Sequence, residues 1–326
     1  MNLKIGIVGL PNVGKSTLFK ILTKQDITIA NYPFATIDPN VGIVSVPDER
    51  VEKLAALSKS AKKIPAVVEF YDIAGLVKGA NKGEGLGNQF LSHIRETQAI
   101  VIVLRVFQNP DIIHVENSVD PVRDLDIILT ELILKDLEAV EKRFAKAEAE
   151  ARTGKKEAVA ERDELGKIKK MLEEGKPADR TIGDLNLLTA KRRIFLLNGE
   201  AADVSEELKK KIAELAGEAV VMDLATAESV PELIKKAYSV LGLISFFTTG
   251  EDETRAWTIE SGTLAPQASG VIHTDFEKKF IRLEVVACDK LLEAGGWTAA
   301  KQKGWVRVEG KEYEMKDGDV IVVRHG

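Results

Sequence analysis

Gly9-Leu10-Pro11-Asn12-Val13-Gly14-Lys15-Ser16-Thr17 is the stretch that decides the fold of this chain. It has the pattern G-x-x-x-x-G-K-S, it follows an apolar strand-like run at 3–8, and it precedes apolar residues at helical spacing at 17–22. A strand, a glycine-rich loop and a helix in this order form a phosphate-binding loop, or P-loop. Gly9 and Gly14 are expected to let backbone N–H groups surround phosphate oxygens that a side chain would keep away. The sequence therefore predicts a nucleoside triphosphate site.

The residues of the P-loop have separate expected roles. The Lys15 ammonium is expected on the β- and γ-phosphates, and the Ser16 hydroxyl on a Mg²⁺ ion. The helix that begins near Lys15 adds the positive end of its dipole to the same site. The predicted nucleotide contacts in this loop are Asn12, Val13, Gly14, Lys15, Ser16 and Thr17.

The composition favours an intracellular enzyme of two or three domains. The chain has 326 residues, a net charge of −5 and a single cysteine, Cys288. The negative charge argues against a general attraction to nucleic acid, so an RNA contact would need a local patch. No apolar run is long enough to span a membrane, and Met1 leads directly into a predicted strand, which leaves no room for a signal peptide. We therefore expect a cytoplasmic location and no membrane partner.

Two later segments carry the residues that are expected to complete the Mg²⁺ site. The run 64–71 reads as one strand and ends in Asp72-Ile73-Ala74-Gly75. Asp72 is expected to hold Mg²⁺ through a water molecule, and the Gly75 amide to contact the γ-phosphate. Thr36, which follows the P-loop by about twenty residues, is the candidate for a second hydroxyl ligand. An ordinary loop threonine is an equal alternative at that position.

The hydrolytic group is not obvious from the sequence. Leu76 stands where Ras-like enzymes have the glutamine that orients the attacking water, and leucine cannot form that hydrogen bond. A predicted strand at 99–106 leads into a polar loop, 107–119, that contains His114. On the residues alone, His114 is equally well a catalytic group or an ordinary loop histidine.

Thr23-Lys24-Gln25-Asp26 matches the pattern [N/T]-K-x-D, whose aspartate reads guanine in GTPases. It ends the first predicted helix, whereas a guanine-reading motif must follow a later strand on the base side of the sheet. We therefore reject this match. Asn198-Gly199-Glu200 follows a predicted strand at 193–197 and lies where a base-reading element is expected.

The rest of the chain divides into an inserted arm and a tail. Residues 125–175 combine helical spacing, many charges and a break at Thr153-Gly154, which predicts an antiparallel helical hairpin with little core of its own. The tail is predicted to be β-rich with little helix, with strands at 270–273, 280–286 and 319–323. The predicted fold class is α/β, with a discontinuous P-loop nucleotide domain (1–124 and 190–242), the helical insertion (125–189) and a C-terminal domain (243–326).

With these motifs placed, the chain resembles the YchF family of Obg-like ATPases over essentially its full length. The resemblance is carried by the P-loop, by 31–36 (NYPFAT), by 72–80 (DIAGLVKGA), and by 247–251, 255–258 and 270–276 in the tail. It implies an Obg-type nucleotide domain, a coiled-coil insertion and a C-terminal TGS domain with a β-grasp fold. It also implies ribosome-linked function, a preference for ATP over GTP, and a histidine in the loop that contains His114.

Two segments depart from the family pattern. The family usually reads its base with N-x-x-E, whereas here the run is Asn198-Gly199-Glu200-Ala201, with the glutamate one residue early. The segment between the fifth strand and the tail is also shorter than usual, and the base loop is reduced to 224–228. We list Asn198, Gly199 and Glu200 as the expected base-side contacts.

These observations favour a slow, Mg²⁺-dependent ATPase that acts as a switch in translation or the stress response. The ribosome, as the large subunit or the 70S particle, is the expected partner, with RNA contacts through the TGS domain and the helical arm. Asn12 is expected to help hold a K⁺ ion that stimulates hydrolysis, although it could simply cap the loop. GTP is expected to bind more weakly than ATP.

Two other functions remain open from the sequence. One is an Obg-like GTPase of ribosome assembly, against which the missing N-K-x-D motif argues. The other is a binding scaffold in which nucleotide only stabilises the fold, and Leu76 is the residue that favours it. A metabolic kinase fits less well, because no segment resembles an acceptor-substrate pocket.

Overall fold

The structure, a computed structural model, describes residues 4–24, 41–72, 94–110, 112 and 118–326. The elements of the nucleotide domain and of the insertion are β1 (Lys4–Val8), α1 (Lys15–Thr23), β2 (Val41–Ser45), α2 (Glu49–Ser58), β3 (Lys62–Ile64), β4 (Val67–Asp72), β5 (Ala99–Arg105), α3 (Pro121–Ala151), α4 (Lys156–Glu173), β6 (Arg192–Asn198), α5 (Glu206–Glu214), β7 (Glu218–Met222) and α6 (Pro231–Val240). The tail contains β8 (Leu243–Thr249), β9 (Glu253–Glu260), α7 (Ala265–Ile272), α8 (Thr274–Lys278), β10 (Phe280–Ala287), α9 (Cys288–Ala294), α10 (Trp297–Gln302), β11 (Arg307–Glu309) and β12 (Asp319–His325).

The first sheet has the strand order β2-β4-β1-β5-β6-β7. Only the edge strand β2 runs antiparallel to its neighbour, and the other pairs are parallel. The central strands are buried along nearly their whole length, as expected for parallel strands covered by helices on both faces. Ligands of such sheets bind outside the carboxyl ends of the strands. The end of β1 leads into the P-loop, which confirms the predicted P-loop fold.

The helical insertion is confirmed as an antiparallel hairpin of α3 and α4, which turns at 152–155. The prediction that this arm has little core of its own is wrong. A separate buried cluster lies inside the arm and includes Val140, Leu165 and Ile168. The segment that leads from α4 back to β6 is held by buried Asp136. Its carboxylate accepts hydrogen bonds of 2.8 Å from the backbone N–H groups of Leu188 and Thr189. The arm therefore has its own packing as well as a solvated charged face.

The predicted single strand at 64–71 is divided in the structure. Pro65 separates β3 from β4, because proline has no N–H group to donate to a continuing ladder. Only β4 joins the first sheet. β3 pairs in parallel with β9, with Lys62 opposite Glu253 and Ile64 opposite Arg255. A short strand of the nucleotide domain thus becomes part of the tail's sheet.

The second sheet has the order β11-β10-β12-β8-β9-β3. The predicted strands at 280–286 and 319–323 are confirmed as β10 and β12, but the strand at 270–273 is wrong, and so is the expectation of little helix in the tail. Residues 265–272 form α7, which has a proline in its first turn, as helices favour. Gly270 lets α8 approach closely, since a Cβ there would lie 2.5 Å from Glu277 Oε2.

Arg50 joins the two domains at the start of α2. Its Nη1 lies 2.6 Å from Asp317 Oδ2 in the tail, and its Nη2 lies 2.8 Å from Asp48 Oδ2. The guanidinium also sits 4.9 Å from the ring centre of Phe247. Burial opposes the charged form, yet the hydrogen bonds to both carboxylates raise the pKa of Arg50. No helix in the described ranges is both long and apolar enough to cross a membrane.

Candidate nucleotide-binding site

The P-loop connects β1 to α1 at the carboxyl edge of the first sheet. Asn12 and Gly14 both have a positive φ, 63° and 111°, so the backbone turns sharply on each side of Val13. Lys15 begins α1, is only 8% exposed, and donates a hydrogen bond of 2.6 Å from Nζ to the Leu10 carbonyl. The side chain expected to bind phosphate is therefore held across its own loop.

The two P-loop glycines are needed for packing as well as for access to a ligand. A Cβ on Gly9 would lie 2.7 Å from the Val103 carbonyl oxygen on β5. A Cβ on Gly14 would lie 2.5 Å from Asn198 Nδ2 at the end of β6. The sequence predicted room for phosphate oxygens at these positions. The structure adds that the loop rests directly on two neighbouring strands.

A cavity of about 750 Å³ opens at this edge of the sheet. Its walls come from the P-loop and from the segments that follow β5, β6 and β7. They are Asn12, Gly14, Lys15, Ser16, Thr17, Phe107, Gln108, Asn109, Ile112, Asn198, Gly199, Glu200, Asp203, Asp223, Leu224 and Ala225. The volume is in the range of small-molecule and cofactor sites. All of the predicted P-loop contacts except the buried Val13, and all three predicted base-side residues, line this one cavity.

Asn198 links the two ends of the cavity. It is 4% exposed, its Nδ2 donates to the Val13 carbonyl at 2.9 Å, and its Oδ1 accepts from the Leu224 N–H at 3.0 Å. The first contact fixes the P-loop, and the second fixes the loop after β7. Asn198 therefore holds backbone in place on both sides, in addition to lining the cavity.

Gly199 and Glu200 form the bend that follows β6. Gly199 has a φ of 147°, and a Cβ there would lie 2.6 Å from Val106 Cγ2, so this bend requires glycine. Glu200 then caps a 3₁₀ turn at Ala201–Asp203. The Asp203 N–H donates to the Glu200 carbonyl at 3.0 Å, while Asp203 Oδ2 accepts from the Glu200 N–H at 3.2 Å. Glu200 thus borders the cavity at the start of a hydrogen-bonded turn.

Several residues of the cavity wall were missed by the sequence analysis, chiefly Asp203, Asp223 and the residues that follow β5. Asp223 Oδ1 accepts from the Ala225 N–H at 2.9 Å, which shapes the turn after β7. The available signal was topological, because residues just after parallel strands meet at one edge of a sheet. Arg105, which is 1% exposed at the end of β5, gave no comparable signal.

The predicted Mg²⁺ ligands are only partly within the described residues. Ser16 lines the cavity, and Asp72 ends β4 opposite Ile7, next to the strand that leads into the P-loop. Thr36, Gly75, Leu76, His114 and the side chain of Asp72 lie outside the described residues. Across the described ranges there is no cluster of three or more His, Cys, Asp or Glu residues that could hold a metal by itself. A hydroxyl, a carboxylate at a strand end and phosphate oxygens form an all-oxygen donor set that suits Mg²⁺.

The rejected guanine motif behaves as expected in its described part. Thr23 is the last residue of α1, and its hydroxyl donates to the Phe19 carbonyl at 2.9 Å. Lys24 caps the same helix. Gln25 and Asp26 lie outside the described residues.

Two family models match this chain. The model described as "50S ribosome-binding GTPase" matches residues 4–142. The C-terminal model of the YchF GTPases, described as a protein of unknown function, matches residues 243–326. Together they place a GTPase-type nucleotide-binding domain before the tail.

Curated relatives and one solved structure match nearly the whole chain. The "Ribosome-binding ATPase YchF" of Bacillus subtilis is 47% identical, covering 99% of both chains, and that of Haemophilus influenzae is 43% identical at the same coverage. The "Obg-like ATPase 1" of Oryza sativa is 42% identical over 98% of this chain and 91% of its own length. The structure of the Schizosaccharomyces pombe YchF GTPase is 40% identical, with a TM-score of 0.87 over 99% of this chain and 98% of its own.

Proposed function

The chain belongs to the YchF family, and on that basis we propose that it is a Mg²⁺-dependent ATPase that binds ribosomes and switches its state with the bound nucleotide. The observation that carries the proposal is the single cavity in which the P-loop and the base-side residues meet, joined by Asn198. Relatives at 42–47% identity are named ATPases, and two of the three above are named ribosome-binding.

The phosphate end of the cavity supports triphosphate binding. On arrival of the nucleotide, the Lys15 ammonium exchanges the Leu10 carbonyl for the β- and γ-phosphate oxygens, which are stronger acceptors because they are charged. Ser16, Thr36 and, through water, Asp72 are the proposed holders of Mg²⁺, with the Gly75 amide on the γ-phosphate. Mg²⁺ bound there neutralises charge on the β- and γ-phosphates.

The base end supports a preference for ATP. Glu200 borders the cavity from a braced turn, where its carboxylate can accept a hydrogen bond from the exocyclic amino group of adenine. We propose that GTP binds the same site more weakly. If the chain is instead an Obg-like GTPase, titration with labelled ATP and GTP will show the opposite preference.

We propose His114 as the hydrolytic group, since Leu76 cannot orient water. Ile112, two residues before His114, lines the cavity, and two residues of chain extend about 7 Å at most. A neutral imidazole can orient or partly deprotonate water, which typically contributes about 10²–10⁴-fold to the rate.

His114→Ala is the experiment that tests the hydrolytic assignment. We expect the turnover of Mg-ATP to fall by about tenfold or more, with ATP affinity within about twofold of wild type. His325→Ala, an exposed histidine on β12 in the tail, is the matched control and should leave both unchanged. Wild-type turnover in His114→Ala would reject the histidine, and the hydrolytic group would then have to be sought on the ribosome.

Asn12 is the proposed protein contact for a K⁺ ion beside the phosphates. It lines the cavity, and its positive φ turns this part of the loop sharply. A cation there supplies the positive charge that an arginine finger supplies in other switch proteins. Turnover compared in K⁺ and Na⁺ at equal ionic strength tests this assignment, and equal rates would reject it.

We propose a cytoplasmic location and contact with the ribosome through the helical insertion (125–189) and the C-terminal domain (243–326), which we assign as a TGS domain. The insertion has a firm core and a charged surface, which suits a projecting arm that contacts a large partner. Co-sedimentation with large subunits and with 70S particles, in the presence of ATP, ADP or no nucleotide, tests this proposal. Sedimentation that does not depend on nucleotide would contradict a switch.

A further inference from the structure

Arg105 at the end of β5 is buried under the segment that follows it. Its guanidinium donates to three backbone carbonyls: from Nε to Phe107 at 3.2 Å, from Nη2 to Asn109 at 2.9 Å, and from Nη1 to Ile112 at 2.9 Å. Its central carbon also lies 4.5 Å from the centre of the Phe107 ring. One side chain therefore fixes three points of this segment.

Burial of the charged Arg105 guanidinium is costly, and the hydrogen bonds that it donates are strong. Burial lowers the pKa of Arg105, and the negative charge of buried Asp124 opposes that shift. Hydrogen bonds from a charged donor are about twice as strong as those between neutral groups. The planar fork of a guanidinium also sets the directions of its acceptors, which the single ammonium of a lysine cannot do.

The residues held by Arg105 are the same residues that form one wall of the nucleotide cavity. Phe107, Asn109 and Ile112 all line it, while their carbonyls point to the guanidinium. The segment is also joined to the base end, because the Val106 N–H donates to the Asn198 carbonyl at 3.0 Å. Arg105 thus shapes this wall from behind, without itself lining the cavity.

We propose that Arg105 is a positioning residue for nucleotide hydrolysis: it templates the segment after β5 so that the cavity wall formed by Phe107, Asn109 and Ile112 is correctly placed. This inference rests on the proposed ATPase function. Arg105 acts through the segment and makes no contact of its own with the reacting atoms. Its loss should therefore reduce turnover more than nucleotide affinity, because the P-loop contacts remain intact.

Arg105→Met is the direct test, since methionine fills the buried space but donates no hydrogen bond. We expect kcat for Mg-ATP to fall by about tenfold or more, with the dissociation constant for ATP changed by about fivefold or less. Amide hydrogen exchange of residues 107–119 should become faster. Arg105→Lys keeps the charge with fewer directed donors, so it should fold and show a smaller loss of kcat.

Arg193→Met is the matched control. Arg193 on the neighbouring strand β6 is partly buried, donates from Nη2 to the Thr189 carbonyl at 2.5 Å, and also has a pKa lowered by burial. It does not line the cavity. Arg193→Met should lower the melting temperature of the protein without changing kcat or the amide hydrogen exchange of residues 107–119. If Arg105→Met behaves in the same way as this control, the positioning role is overturned.

A double variant separates failure of this inference from failure of the proposed function. If Arg105 acts through the histidine segment, adding Arg105→Met to His114→Ala should lower kcat by less than about twofold. If the two losses of kcat instead multiply in the double variant, Arg105 does not act through His114. If His114→Ala alone has wild-type turnover, the proposed hydrolytic group fails, while faster exchange of 107–119 and a lower kcat in Arg105→Met still support the positioning role.

Discussion

The phosphate end and the base end of the cavity are built in different ways. The phosphate end is one continuous run of nine residues whose backbone forms the site. The base end is assembled from segments after β6 and β7, which are held in place by side chains that bind backbone groups. The first arrangement is local in sequence and the second depends on tertiary contacts.

The largest effect is expected at the phosphate end, from Lys15→Ala. No other cation of the P-loop can replace the Lys15 ammonium at the β- and γ-phosphates, so affinity for Mg-ATP should fall by about 100-fold or more. Titration with a fluorescent ATP analogue measures this change. Lys20→Ala, an exposed lysine on the same helix, is the control and should bind normally. Wild-type affinity in Lys15→Ala would show that phosphate binds elsewhere.

A smaller effect is expected from Asn198→Ala, which acts on both ends at once. The change leaves the Val13 carbonyl and the Leu224 N–H without their amide partner, so the free energy of unfolding should fall by about 1–3 kcal/mol. ATP affinity should fall by about tenfold, because the P-loop and the base loop lose their common anchor. Urea unfolding and nucleotide titration measure the two quantities.

Asn186→Ala is the control for this change, since Asn186 is exposed in the segment that returns from the arm. A loss of stability in Asn198→Ala with unchanged ATP affinity would show that the two ends work independently. That result would show that Asn198 does not couple the phosphate end of the cavity to the base end.

The smallest effect is expected at the base end alone, from Glu200→Gln. The amide keeps the shape of the carboxylate but not its charge, so the preference for ATP over GTP should weaken by about two- to fivefold. The effect is small because Glu200 is exposed, and water screens its charge. Competition between labelled ATP and GTP measures the ratio. Glu207→Gln on α5 is the control. An unchanged ratio in Glu200→Gln would show that Glu200 does not read the base.

The same contrast separates what could be predicted from what could not. The P-loop can be recognised in the sequence because its chemistry depends on residues that are adjacent in the chain. The position of Glu200 depends on the φ of Gly199, and the bend there packs against Val106, which follows β5. The role of Arg105 is equally hidden, because its partners are carbonyl groups that every residue has.

The errors in the fold have related causes. The run 64–71 has the apolar character of one strand, but its first residue, Ile64, pairs with Arg255 of β9, which lies about 190 residues later in the chain. The segment 270–273 looks like a strand because it is short and partly β-branched. In the structure it is the end of α7 and its cap, since Ala265, Ala268 and Ser269 pack inward with helical spacing. Short apolar runs do not distinguish the two periodicities.

The pairing of β3 with β9 has a practical consequence for dissecting the protein. The Ala61 N–H donates to the Glu251 carbonyl at 2.8 Å, and one apolar core includes Leu54 of the nucleotide domain together with Phe247 and Leu291 of the tail. A chain ended at Gly242 would leave β3 as an unpaired edge and expose that core to water. Open strand edges and apolar patches are templates for aggregation. The isolated nucleotide domain is therefore expected to be poorly soluble, and the tail must be kept when either half is produced for study.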